Sequence, residues 1–247
     1  MTRKIIGSLL AGALLLAIPG IALADHEDTL MNVDFKTTAK SKKSGTKRAP
    51  RPANLSIALT QTTRSGTGQP AGSAALNITL PKEMQFRGRM WPRKLRCDPI
   101  KANNVKSDSA CPRRSSVGAG HVTATAGDGS LVSEIAVRAY MTTSGDLGLW
   151  LTTATPLPIN QMLVGKVSRG RTIGIAIPSN IQQPLVGVKS AIRALRFSLT
   201  GTTRVNGRTV GAVESTGCPT SKLWTLAFQS VYAHGSITDK DTAACRR

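Results

Sequence analysis

From Ala53 onward, apolar and polar residues alternate in short runs. Leu55, Ile57 and Leu59 alternate with Ser56, Ala58 and Thr60, and Leu76, Ile78 and Leu80 with Ala75, Asn77 and Thr79. Leu195, Phe197 and Leu199 flank Arg196 and Ser198, and Trp224, Leu226 and Phe228 flank Thr225 and Ala227. A period of two puts one set of side chains on each face of a strand, so these runs predict half-buried strands. Small and β-branched runs at 121–126, 131–141, 147–151 and 172–177 predict further strands. Asn206-Gly207 tolerates the positive φ values of a type I′ turn and predicts a hairpin. His234-Gly235 reads as a turn before a last strand. Helical spacing is scarce. Leu185, Val188 and Ile192 have it, but Pro184 and two β-branched residues weaken it, so one short helix is expected there. The pattern predicts an all-β protein, an antiparallel β-sandwich of about eight to ten strands filling 53–247 as a single domain.

The first residues follow another rule. Met1-Thr2-Arg3-Lys4 precedes an apolar run from Ile5 to Ile21, and Ala22-Leu23-Ala24 follows it. A basic start, an apolar stretch and an A-x-A site predict a signal peptide over 1–24, cleaved before Asp25. The alternative is a retained membrane helix. The run is short of the ~20 residues a span needs and holds Gly7, Gly12, Pro19 and Gly20. No later stretch has spanning length, so an exported chain, secreted or held at the cell envelope, is expected. Residues 25–52 mix acidic, basic, Ser, Thr, Gly and Pro positions and predict a disordered basic tail or linker.

Four cysteines in an exported chain, Cys97, Cys111, Cys218 and Cys245, predict two disulfides. Three connectivities are open. Short loops close more readily, which favours Cys97–Cys111 and Cys218–Cys245. Zinc is the competing reading, but its paired ligands usually sit two to four residues apart, and no such pair of cysteines exists here.

Two segments carry a resemblance. The first is Cys97-Asp98-Pro99 with Cys111-Pro112-Arg113-Arg114-Ser115-Ser116-Val117-Gly118-Ala119-Gly120. The second is Thr216-Gly217-Cys218-Pro219 with a strand around Trp224 and the last Cys245. Over roughly residues 53–245 they resemble a group of uncharacterised exported actinobacterial proteins, in which a C…CP-x-x-S-x-V-G-x-G element and a later T-x-C-P element recur. The resemblance implies an extracellular β-rich fold with two local disulfides. It implies no activity.

Charge changes the picture most. The chain of 247 residues carries a formal +20, with a sequence pI near 10.8. Loss of 1–24 takes Arg3 and Lys4 away and leaves +18. The basic residues gather in two places. Lys36, Lys40, Lys42, Lys43, Lys47 and Arg48 lie in the expected tail, and Arg87, Arg89, Arg93, Lys94 and Arg96 lie beside Phe86, Met90 and Trp91. Such clusters can grip phosphates or carboxylates, so these eleven are the candidate anion-binding residues. Outside the cell the matching partners are anionic envelope polymers and lipid head groups, met electrostatically and without specificity. No nucleic-acid recognition module is visible, and specific nucleic-acid binding is not expected.

Catalytic motifs are weak. Gly118-x-Gly120 leads into a strand, as a turn or bulge would, and lacks the Gly-Lys-Ser/Thr of a phosphate loop. Ser44-Gly45-Thr46-Lys47 matches S-x-x-K but lies in the expected tail, where no oxyanion hole could be held in register. His26, His121 and His234 have no triad context, and Asp25-His26 could at most bind copper after cleavage. Glu134 has no nameable partner, and Asp239 with Asp241 suggests a solvated loop ahead of a calcium site. The expectation is a secreted, non-enzymatic protein without cofactor or metal. The alternatives are an extracellular hydrolase with an unlocated active site and a structural coat or matrix subunit.

Overall fold

The protein is described by a computed structural model covering residues 26–39 and 44–246. The segment through Asp25, and with it the expected signal peptide, lies outside the described residues. So do Lys40, Lys42 and Lys43.

The described chain is all-β. Its strands are β1 (Thr29–Ala39), β2 (Arg51–Thr63), β3 (Ala75–Thr79), β4 (Met84–Phe86), β5 (Ser116–Ala126), β6 (Leu131–Met141), β7 (Leu147–Thr153), β8 (Ile159–Ser168), β9 (Thr172–Ala176), β10 (Ser190–Leu199), β11 (Thr202–Val205), β12 (Arg208–Gly211), β13 (Val213–Ser215), β14 (Leu223–Tyr232) and β15 (Gly235–Ala244). Two short helices join them, α1 (Pro99–Val105) and α2 (Ser179–Gln182). Neither is long enough to cross a membrane.

Thirteen strands form one antiparallel sheet, in the order β15-β14-β3-β9-β8-β7-β6-β5-β10-β2-β13-β4, with β1 on the other side of β2. The remaining two, β11 and β12, form a ribbon whose turn is Asn206-Gly207, both at positive φ as the sequence predicts. The sheet folds over so that its inner face packs on itself. One apolar cluster holds Val33 and Phe35 of β1, Leu55 and Ile57 of β2, Ile78 of β3, Val137 of β6, Leu149 of β7 and Phe228 of β14.

The folding-over brings β1 beside β15. Eleven strands lie between and including them, each antiparallel to the next, so β1 and β15 run parallel. Their contact is not an ordinary ladder. Val33 N–H donates to Asp239 Oδ2 at 2.8 Å, and Phe35 N–H to Asp241 Oδ2 at 2.7 Å. The second oxygen of each carboxylate accepts from β15's own backbone, at Lys240 N–H (2.8 Å) and Thr242 N–H (2.7 Å). Each carboxylate thus supplies the acceptor that two facing rows of N–H groups would otherwise lack. Asp239 and Asp241 are seam residues of a strand, which corrects the expectation of a solvated loop.

Three other expectations need correction. Residues 29–39 are a strand, paired with β2 from Thr29↔Thr63 to Ala39↔Ala53. Met31, Val33 and Phe35 turn inward while Asn32, Asp34 and Lys36 turn out. This period of two is legible in the sequence, but the charged flanks obscured it. The helix expected around 185–192 is absent: α2 ends at Gln182, ahead of Pro184, and β10 begins at Ser190. Finally, the strands number fifteen among the described residues, more than eight to ten, because several are only three to five residues long.

Both disulfides have the favoured pairing, Cys97–Cys111 and Cys218–Cys245. The Gly118-Ala119-Gly120 element has a packing reason. A Cβ on Gly118 would lie 2.0 Å from the Ser198 carbonyl oxygen, and one on Gly120 2.3 Å from that of Arg196. Only glycine lets β5 approach β10 so closely, and the register of β5 against β6 shifts between Ser116 and Gly118, as at a bulge.

Candidate anion-binding surface

Between β4 and β5 the chain leaves the sheet for residues 87–115, with Trp91 buried in the main core cluster and the part around α1 lying over the outer face. Ala102 of α1 and the Cys97–Cys111 pair bury against Tyr140, Trp150 and Met162, outward residues of β6, β7 and β8. Three local devices hold this crossover segment. Asp98 caps α1 by accepting from Ile100 N–H (2.9 Å) and Lys101 N–H (3.3 Å), with Pro99 at the first helical position. The Asn103 side chain docks on β8, accepting from Met162 N–H at 2.7 Å and donating to the Met162 carbonyl at 3.1 Å. Buried Trp91 donates its indole N–H to the Arg114 carbonyl at 3.2 Å, so the turn at Arg93–Leu95 packs against the turn at Arg113–Ser115.

The segment contains nine basic residues and two acidic ones. Asp98 is the helix cap. Asp108 is taken by Arg138 Nη1 at 2.8 Å and by the Tyr140 hydroxyl at 2.6 Å. Burial, and after it the bond to Asp108, pushes the Tyr140 phenol up to about 12. The same carboxylate raises the pKa of Arg138. The segment's only two acids are therefore committed to holding it in place.

Two of its predicted anion-binding residues are committed as well. Arg87 Nε pairs at 3.1 Å with Glu214, a fully buried carboxylate that Arg208 meets from the other side at 2.6 Å. Arg96 fans across three carbonyls, of Trp91 (2.9 Å), Thr143 (3.0 Å) and Arg89 (2.8 Å). Burial, and behind it the charge of Arg93, lowers its pKa. The structure thus places Arg87 and Arg96 in internal contacts. Among the tail residues, Lys36 pairs with Asp34 at 3.0 Å on the outer face of β1, and Lys47 with Arg48 lies exposed in the turn before β2.

What remains exposed on the crossover is Arg89, Arg93, Lys94, Lys101, Lys106, Arg113 and Arg114. None makes an ion pair with a carboxylate among the described residues. Arg113 and Arg114 were not among the sequence-predicted ligands. They sit just past Cys111, and the disulfide with the Trp91 contact brings them to the 89–94 group. The paired cysteines flanking two basic runs were the signal that could have found them.

Other candidate chemistry resolves into structure. Glu134 reaches His121 and Thr123 across the exposed β5–β6 face, its contact to Thr123 Oγ1 being 3.0 Å. Ser44 N–H donates to the Arg246 carbonyl at 2.9 Å, and Gly45 is buried against Ser215, so the S-x-x-K string is a turn docked on the sheet. Neither a scan against protein-family models nor a search of curated proteins finds a match to this chain.

Proposed function

We propose that this is an exported, non-enzymatic, single-domain protein that associates with clustered anionic groups of the cell envelope through its crossover segment. One observation carries the reading: seven exposed cations share a segment of 29 residues whose only two acids are used internally. Binding would proceed by charge pairing and counterion release, with little chemical selectivity. Export is supported by the pattern of residues 1–24, by the resemblance to exported actinobacterial proteins and by the two disulfides, which persist in oxidising compartments. The folded-over sheet is read as a sandwich-like body with the crossover as an added outer layer.

The test measures binding of the chain from Asp25 to soluble polyphosphate and to vesicles of phosphatidylglycerol. Each is run at about 0.1 M salt, where the Debye length is ~10 Å, and at about 1 M, where it is ~3 Å. Replacing Arg89, Arg93, Lys94, Arg113 and Arg114 together by Gln should weaken low-salt binding at least about tenfold. It should also flatten the salt dependence by ~0.7–0.9 per cation lost from contact. The same treatment of Lys36, Lys47 and Arg48 should do less. Salt-independent binding, or equal loss from both variants, would overturn the assignment to the crossover.

A further inference from the structure

The inner face of the folded sheet is not completely filled. A cavity of about 90 Å³ is lined by Leu76, Ile78, Val137, Leu149, Leu163 and Phe228 among others. Among the described residues, Ser73 and Ser190 supply the hydroxyls that line it, and both are engaged. Ser73 Oγ lies 2.6 Å from Ser230 Oγ, which in turn accepts from buried Gln61 at 3.0 Å. Ser190 Oγ donates to the Ile181 carbonyl. Both hydroxyls already serve other partners, so a water there would find few of the two to four hydrogen bonds it needs, and apolar cavities of this order stay dry and accept hydrocarbon instead.

The cavity has an identifiable entrance. Deep lining residues such as Leu76 and Val137 are buried, whereas Val122, Ala124, Ile177, Ile181 and Ile192 are half-exposed and mark one end. Over that end lies α2, a single turn with no buried residue. Its ties are few: the Ser190–Ile181 contact, Asn180 Nδ2 to Gln161 Oε1 at 3.0 Å and Gln182 Nε2 to the Ile177 carbonyl at 2.6 Å. Beyond it, the turn closed by Val188 N–H and the Leu185 carbonyl holds Leu185 half-exposed and Val186 fully exposed.

We propose that this cavity is a binding site for an alkyl chain, which enters beneath α2 and leaves its head group outside. The wall offers dispersion contacts and no hydrogen bond, so recognition is of the chain. The size suits the end of a tail and not a whole lipid. This site lies inside the sheet and does not depend on the cationic crossover on its outer face.

Two probes of one chain length test it, both below their micelle concentrations: decanoate, with an anionic head, and decyl maltoside, with a neutral one. Both should bind one to one, with NMR cross-peaks from the chain to methyls of Leu76, Val137 and Leu149. Ala124→Leu and Ala191→Leu each add bulk to the wall. Each should weaken both probes at least about tenfold while the melting temperature holds or rises, as filling a void allows. The five-residue Gln variant of the crossover should bind decyl maltoside as the unaltered protein does. Cross-peaks need no variant, so a misfolded Leu variant does not spare the idea. Absence of binding by both probes, binding of decanoate alone, or cross-peaks confined to Leu185 and Val186 would each overturn it.

Discussion

At the scale of single residues, the side chains that look most available for ligands are often the ones already in use. Arg87 and Arg96 sit in one of the two dense basic runs of the sequence. One neutralises the buried Glu214 and the other satisfies three carbonyls. Asp108 shows the same economy, holding Arg138 and Tyr140 at once. Because the Tyr140 phenol is pushed up to about 12, the folded state keeps its proton more tightly than the unfolded chain, where the value is ~10. Its contribution to stability is therefore whole below about pH 10 and is lost as pH rises towards 12. Tyr140→Phe lacks that titration. The stability gap between it and the unaltered protein should narrow by about 1–3 kcal/mol between pH 9 and pH 12, measured by urea unfolding. A constant gap across that window would mean that Asp108 and burial do not hold the proton.

At the scale of elements, β1 and β15 show how an odd count of antiparallel strands can close on itself. The last pair must run parallel, and here carboxylates bridge it instead of ladder bonds. Replacing both Asp239 and Asp241 by Ala removes the acceptors of the Val33 and Phe35 amides. Leaving such a group without a partner costs about 1–3 kcal/mol where it is buried. Hydrogen exchange at Val33 and Phe35 should accelerate at least about tenfold, with β6 and β7 amides changing less. Asn at the same two positions keeps one accepting oxygen and should fall between. Equal acceleration across all strands would instead indicate a global loss, with no local seam.

At the scale of the molecule, β1 belongs to the body of the fold. A chain starting at Ala53 would strip β2 of its β1 partner over eleven residue pairs and leave one oxygen each of Asp239 and Asp241 without its donor from β1. It would also expose a long apolar edge, the kind that recruits other chains. Such a chain should lose its cooperative melting transition or elute as aggregate in size exclusion. A monomer melting with the full protein would show that β1 is dispensable. The sequence alone was enough for the strands with clean alternation, the Asn206-Gly207 turn and the preference for nearest-neighbour disulfides. Each of these depends on chemistry within a few residues or on the closure of a short loop. What only tertiary structure decided was partnership at long range. Arg87 finds Glu214 across 127 positions, and Val33 finds Asp239 across 206. Such pairs leave no periodic trace in the chain. They follow from which strands the folded sheet makes neighbours, and that choice determined which cations stayed free.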